Sequence, residues 1–121
     1  MYRPLTRYIE IFSNGSCGAW SDQGLKYSLS VGRFKDAVYR FKRRHPELRG
    51  DEYRTVLEEQ EIPFTANGLK NANVPELSGE TILAMILSLL YADRYDKGIL
   101  LRFLEEGIVQ SWLKRLNELD Q

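Results

Sequence analysis

The stretch "SGETILAMILSLLYADRYDKG", Ser78 to Gly98, decides the fold. Ser78 is a helix-starting residue, because its hydroxyl accepts a hydrogen bond from a free N–H of the first turn. From Ile82 to Leu90 the apolar side chains point in almost every direction around a helix. A helix that is apolar all round belongs at the centre of a core. Thr81, Ala84, Ser88 and Ala92 leave one thin stripe of small side chains where a neighbouring helix can come close. Asp93, Arg94, Asp96 and Lys97 then arrive together, followed by Gly98. The reading is a central helix over 79–95, a charged turn, and a new helix after Gly98.

Downstream, "GILLRFLEEG" and "IVQSWLKRLNELDQ" read as two further helices punctuated by Gly107. Ile108, Val109, Trp112, Leu113, Leu116 and Leu119 form one apolar stripe at helical spacing. Upstream, Leu5, Tyr8, Ile9 and Phe12 repeat at i, i+3, i+4 and i+7, and "NGSCG" stops that helix. Val31, Phe34, Val38 and Phe41 mark a second helix with Ser30 as its cap, ended by His45-Pro46. A shorter helix follows Asp51 and stops at Pro63. "TANGLKNANVPELS" reads as loop, pinned by Leu69 and Val74. "LKYSLSV" alternates like a strand but has no evident partner, so it reads as coil. The predicted fold is all-α: a compact single domain over residues 1–121, with five or six helices around the central apolar helix 79–95.

Composition narrows the chemistry. With 43% apolar and 28% charged residues the chain is an ordinary globular one. A single cysteine, Cys17, forbids a disulfide framework and a multi-cysteine zinc site. Together with an N-terminus whose charges interrupt every apolar run, it fits a cytoplasmic protein. No run approaches the roughly 20 apolar residues that span a bilayer, so no membrane partner is expected. No cofactor or metal is expected either. His45 stands alone, Glu58, Glu59 and Glu61 diverge on a helix, and no phosphate-binding glycine motif occurs. A Cys17–His45 pair would need two loops to meet, and no cation near Cys17 in sequence lowers its pKa.

Charge is unevenly spread. Residues 1–54 hold eleven Lys/Arg against six Asp/Glu, and residues 55–121 hold the reverse. Two explanations are open: the halves attract each other, or the first half carries a contact surface. The face between Arg33 and Arg49 is the basic one, with Arg40, Lys42, Arg43 and Arg44 as first candidates for phosphate contacts. Trp20, in the polar loop "GAWSDQG", is the candidate interface anchor.

Asp93, Arg94 and Tyr95 allow two readings. In the structural one, preferred here, Arg94 caps the end of the central helix or pairs with Glu105 or Glu106, and Asp93 pairs with Lys97. Arg94→Ala is then expected to destabilise by more than about 1 kcal/mol. In the functional one, Asp93 and Arg94, with Tyr91 or Tyr95, line a polar pocket for a small anion or a peptide terminus.

Ala92-Asp93-Arg94-Tyr95, Gly98, Glu106-Gly107 and Leu113-Lys114-Arg115-Leu116 also carry a resemblance. Over about residues 53–116 the chain resembles a family of small, uncharacterised bacterial proteins defined only as a domain of unknown function. Tyr95 stands where phenylalanine is commoner in that family. The resemblance implies a helical fold and a bacterial cytoplasmic or phage-related origin, and implies no reaction. The sequence thus favours a non-enzymatic helical protein acting through protein–protein contacts or self-association. The alternative is a nucleic-acid-associated protein using the basic face Arg33–Arg49.

Overall fold

A computed structural model describes residues 1–121. The stretch after Ser78 forms the helix α6, Gly79–Ala92, and its residues from Gly79 to Leu90 are buried apart from Glu80. Ser78 Oγ accepts from the Thr81 amide at 3.2 Å, the cap the sequence anticipates. Each fully buried Leu or Ile in such a helix contributes about 1.5–3 kcal/mol.

The other helices are arranged around it. In chain order they are α1 (Arg3–Thr6), α2 (Tyr8–Ser13), α3 (Leu29–Arg44), α4 (Tyr53–Glu59) and α5 (Ala66–Lys70) before α6, then α7 (Ile99–Glu105) and α8 (Ile108–Leu119). Helix α4 packs most extensively on α6, while α7 and α8 cover other sides of it. Helices α1 and α2 lean on both α3 and α8 and close the bundle. Trp112 is fully buried, edge-on to Phe103 at 5.9 Å between ring centres. One apolar core runs through all of these elements. The result is a compact, mainly helical domain in which no helix is long and apolar enough to cross a membrane.

The fold is not all-α. Strands β1 (Gly18–Ser21) and β2 (Gly24–Tyr27) form an antiparallel hairpin, with Trp20 opposite Leu25. The coil expected around Leu25–Tyr27 therefore has a partner immediately before it. Gly24, at φ +102°, takes the turn conformation that residues with a Cβ resist. The strands are only four residues long and β1 is largely exposed, so neither carries a clear hydrophobic period.

Four boundaries also differ. Helix α6 ends at Ala92 rather than at 95, for a reason that lies in its neighbour α7 and is described below. Helix α3 begins after Ser28, not Ser30. Asp51 does not cap α4 but sits in a 3₁₀ turn and pairs with Lys42 at 2.8 Å. Within the expected loop 65–78, Thr65 Oγ1 accepts from the Gly68 amide at 2.9 Å and starts α5, which buries Leu69.

Candidate functional site

The junction after α6 is built from Asp93. A helix start leaves its first N–H groups without intrahelical partners, and buried ones must find acceptors elsewhere. At α7 every one is accounted for. Asp93 Oδ1 accepts from the Gly98 amide at 3.0 Å and the Leu100 amide at 3.1 Å. The Ile99 amide donates to the Asp96 carbonyl at 3.1 Å. The Leu101 amide donates to the Tyr27 hydroxyl at 3.2 Å, and that hydroxyl donates to Asp93 Oδ1 at 2.9 Å. Asp93 is only 7% exposed. Burial, reinforced by the bond to Asp93, pushes the Tyr27 hydroxyl well above the usual tyrosine range, so it stays a donor. Because the Asp93 side chain must reach back to α7, the chain leaves the α6 axis there and turns. The Tyr95 and Asp96 amides both close on the Ala92 carbonyl, at 3.0 and 2.8 Å, and Gly98 reverses the chain at φ +99°.

The junction bonds belong to Asp93 and Tyr27, not to Arg94. Arg94 is exposed and touches neither Glu105 nor Glu106; its guanidinium lies 5.7 Å from the centre of the Tyr91 ring. Asp93 forms no ion pair with Lys97 within 4.0 Å. Arg94→Ala is accordingly expected to change stability by less than about 0.5 kcal/mol, the range of ordinary surface substitutions. A thermal melt of that variant checks this.

Tyr95 is 78% exposed, with its hydroxyl 3.4 Å from that of Tyr91. Arg54 reaches over the Tyr91 ring as well, at 5.7 Å, and Tyr53 lies 6.4 Å from it. Tyrosine and arginine thus alternate on the surface at the end of α6.

Helix α3 supplies the basic face. Val31, Phe34, Val38 and Phe41 are buried, which turns Arg33, Arg40, Arg43 and Arg44 outward. Lys42, Arg43 and Arg44 occupy the last turn, where they complement the helix dipole. Charge attraction between the two halves of the chain explains little of this. Arg49 does bridge them, binding Glu59 at 2.8 Å and Glu80 at 3.0 Å. Of the eleven Lys/Arg in residues 1–54, however, only Arg49 and Lys42 have a carboxylate within 4.0 Å.

Both flanks of α3 are concave. On one side a groove of about 330 Å³ against α1 and α2 is lined by Arg7, Arg33, Arg40, Arg44, His45 and Asp36, among others. His45 is held by Glu47 at 2.9 Å and packs on Phe41. On the other side two hollows, about 580 and 220 Å³, both include Tyr39 and Arg94. Lys35 and Lys97 line the larger; Lys42, Tyr53 and Tyr91 line the smaller.

Trp20 stands apart from this surface in part. It is 59% exposed, yet its ring rests so close to Gly98 that a Cβ there would come within 2.8 Å of it. It is both a prop for the α7 turn and an exposed aromatic. Cys17 is buried, its thiol pushed up by burial and then by Glu105. No group of three or more His, Cys, Asp or Glu side chains is placed to hold a metal ion.

The sequence marks Arg40, Lys42, Arg43 and Arg44 as one basic face and Arg94 apart from them, at the helix junction. The fold brings Lys42 and Arg94 to one hollow and Arg40 and Arg44 to another. Arg7, Tyr39 and Tyr53 are not marked as site residues in the sequence, whereas Tyr91 is a candidate beside Arg94. Their participation depends on how α1, α4 and α6 pack around α3, and no local motif announces it. Tyr27 left one local trace, the alternation of "LKYSLSV". No protein-family model matches this chain, and no curated protein or solved structure matches it.

Proposed function

We propose that this protein binds nucleic acid, with α3 as the cationic ridge that meets the phosphates. The observation that carries this reading is the outward row of arginines on α3, Arg33, Arg40, Arg43 and Arg44, none of which has a carboxylate within 4.0 Å. Arg33 to Arg44 spans about 16 Å along the helix. That length suits a charged polymer better than a single anion. Cations already paired with carboxylates gain little from a phosphate; unpaired ones gain the release of its condensed counterions.

The test is binding of a labelled oligonucleotide at two salt concentrations. If about four phosphates are neutralised, affinity for a single strand falls by about 50-fold between roughly 50 and 200 mM salt. No binding at the lower salt removes the reading.

Trp20 favours a second reading, contact with a protein partner. A half-exposed tryptophan on a hairpin has the character of an interface anchor. A protein captured by the native chain, lost with Trp20→Ala and kept when the α3 arginines are neutralised, would support it over the first.

A further inference from the structure

We infer that the valley between α3 and the C-terminal end of α6 is a track for a single nucleic-acid strand, with unstacked bases lying against its tyrosines. The inference rests on the nucleic-acid reading, in which the α3 arginines meet the phosphates, and adds to it where the bases lie and which form of nucleic acid is preferred.

Three observations carry it. First, the valley interleaves cations and aromatic rings. Lys35, Tyr39 and Lys42 come from α3, Tyr91 and Arg94 from the end of α6 and its turn, and Tyr53 from α4. Sequence-tolerant single-strand sites combine those two ingredients: charges follow the backbone and ring faces take the bases. Duplex contacts do not need the rings, because paired bases keep their faces stacked on one another. The opposite flank of α3, in contrast, offers four arginines but, as rings, only the buried Tyr8 and Phe41 and a His45 that packs on Phe41 and is held by Glu47.

Second, the aromatic surface at the end of α6 is primed rather than covered. Tyr95 is 78% exposed, and the Tyr91 ring packs on it at 5.5 Å between centres. Arg54 and Arg94 lie over Tyr91 and add planar cations to the same platform.

Third, the valley keeps a net positive charge: Lys35, Lys42, Arg94 and Lys97 stand against Asp36, Asp51 and Asp93. Asp51 neutralises Lys42, so Lys35, Arg94 and Lys97 are the cations left for phosphates, and Asp93 is buried against the α7 amides. Asp36, on the rim, is the one free carboxylate among the lining residues. The Asp93 cap also fixes where Arg94 and Tyr95 stand, so little ordering is needed on binding.

The experiment uses the full chain, with fluorescence anisotropy on three probes at equal salt. These are oligothymidylate of about 12 nucleotides, a duplex of the same length, and inorganic polyphosphate. The single strand is expected to bind about tenfold or more tighter than the duplex. Tyr91→Ala, at a ring that lines the valley, is expected to weaken single-strand binding by about 5- to 100-fold, the range for losing one base stack, and to leave duplex binding unchanged. Tyr91→Phe, which keeps the ring, stays within about twofold of the native protein. Equal affinity for strand and duplex, or no effect of Tyr91→Ala, overturns the inference; salt-sensitive binding of duplex and polyphosphate would then leave the α3 reading standing. Binding of none of the three probes overturns both.

Discussion

Asp93→Ala is expected to destabilise the fold by about 3–5 kcal/mol, the largest single effect away from the apolar core. Asp93 accepts from two backbone amides and a buried-side hydroxyl, and all three lose their acceptor together. Gly98 and Leu100 are buried, so water does not replace it. An orphaned buried donor costs about 1–3 kcal/mol, and more when the lost acceptor was charged. For a domain of this size the loss lowers the melting temperature by about 10–20 °C. Asp93→Asn keeps an oxygen where Oδ1 stands and is expected to lose only about 1–2 kcal/mol. The same junction has an alkaline signature. The Tyr27 hydroxyl has a raised pKa in the folded state, so its contribution is complete below pH 10 and falls as pH rises further, when the unfolded chain ionises and the folded one does not. Tyr27→Phe removes that part of the pH dependence. A melting temperature within about 3 °C of native for Asp93→Ala would show that the α7 turn is held by something else.

The second large effect concerns binding. Arg40→Gln, Arg43→Gln and Arg44→Gln together are expected to weaken oligonucleotide binding by about 30- to 300-fold at low salt and to flatten its salt dependence by about two phosphate contacts. Glutamine is the informative replacement. It removes the charge and keeps a long polar side chain, and it puts no anion at a helix C-terminus where the dipole would oppose it. None of the three side chains has an ion-pair partner, so the variant should stay folded and lose only the helix-dipole contribution of Arg43 and Arg44, about 0.3–1 kcal/mol each. Unchanged affinity in a folded triple variant would mean that α3 is an ordinary solvated face.

How far these features can be read in advance differs from one to the next. The all-round apolar run Ile82–Leu90 can only be central, and Ser78 marks its start without tertiary information. The stripe of α8 is equally plain, because Val109, Trp112, Leu113 and Leu116 repeat at helical spacing and all are buried. The end of α6 is different. A helix pattern says nothing of an aspartate whose side chain is claimed by amides five and seven residues ahead. Arg94 attracted the structural role because arginine is long and forked, yet what the junction lacked was an acceptor, which arginine cannot supply. The hairpin escaped for another reason. Its pairing is made by backbone groups, and its strands, short and largely exposed, alternate weakly. The basic row on α3 is visible in the sequence, since the buried Val31, Phe34, Val38 and Phe41 dictate which residues face out. The valley is not, because Tyr39 and Arg94 are 55 positions apart and meet only through the packing of α3 beside α6.

The central claim is that α3 and the end of α6 form one nucleic-acid surface. Titration of the ¹⁵N-labelled chain with oligothymidylate, followed by amide chemical shifts, tests it most directly. Shifts concentrated on residues 33–44 and 91–97 are the expected result. Shifts confined to the Trp20 hairpin, or none at low salt, would contradict it.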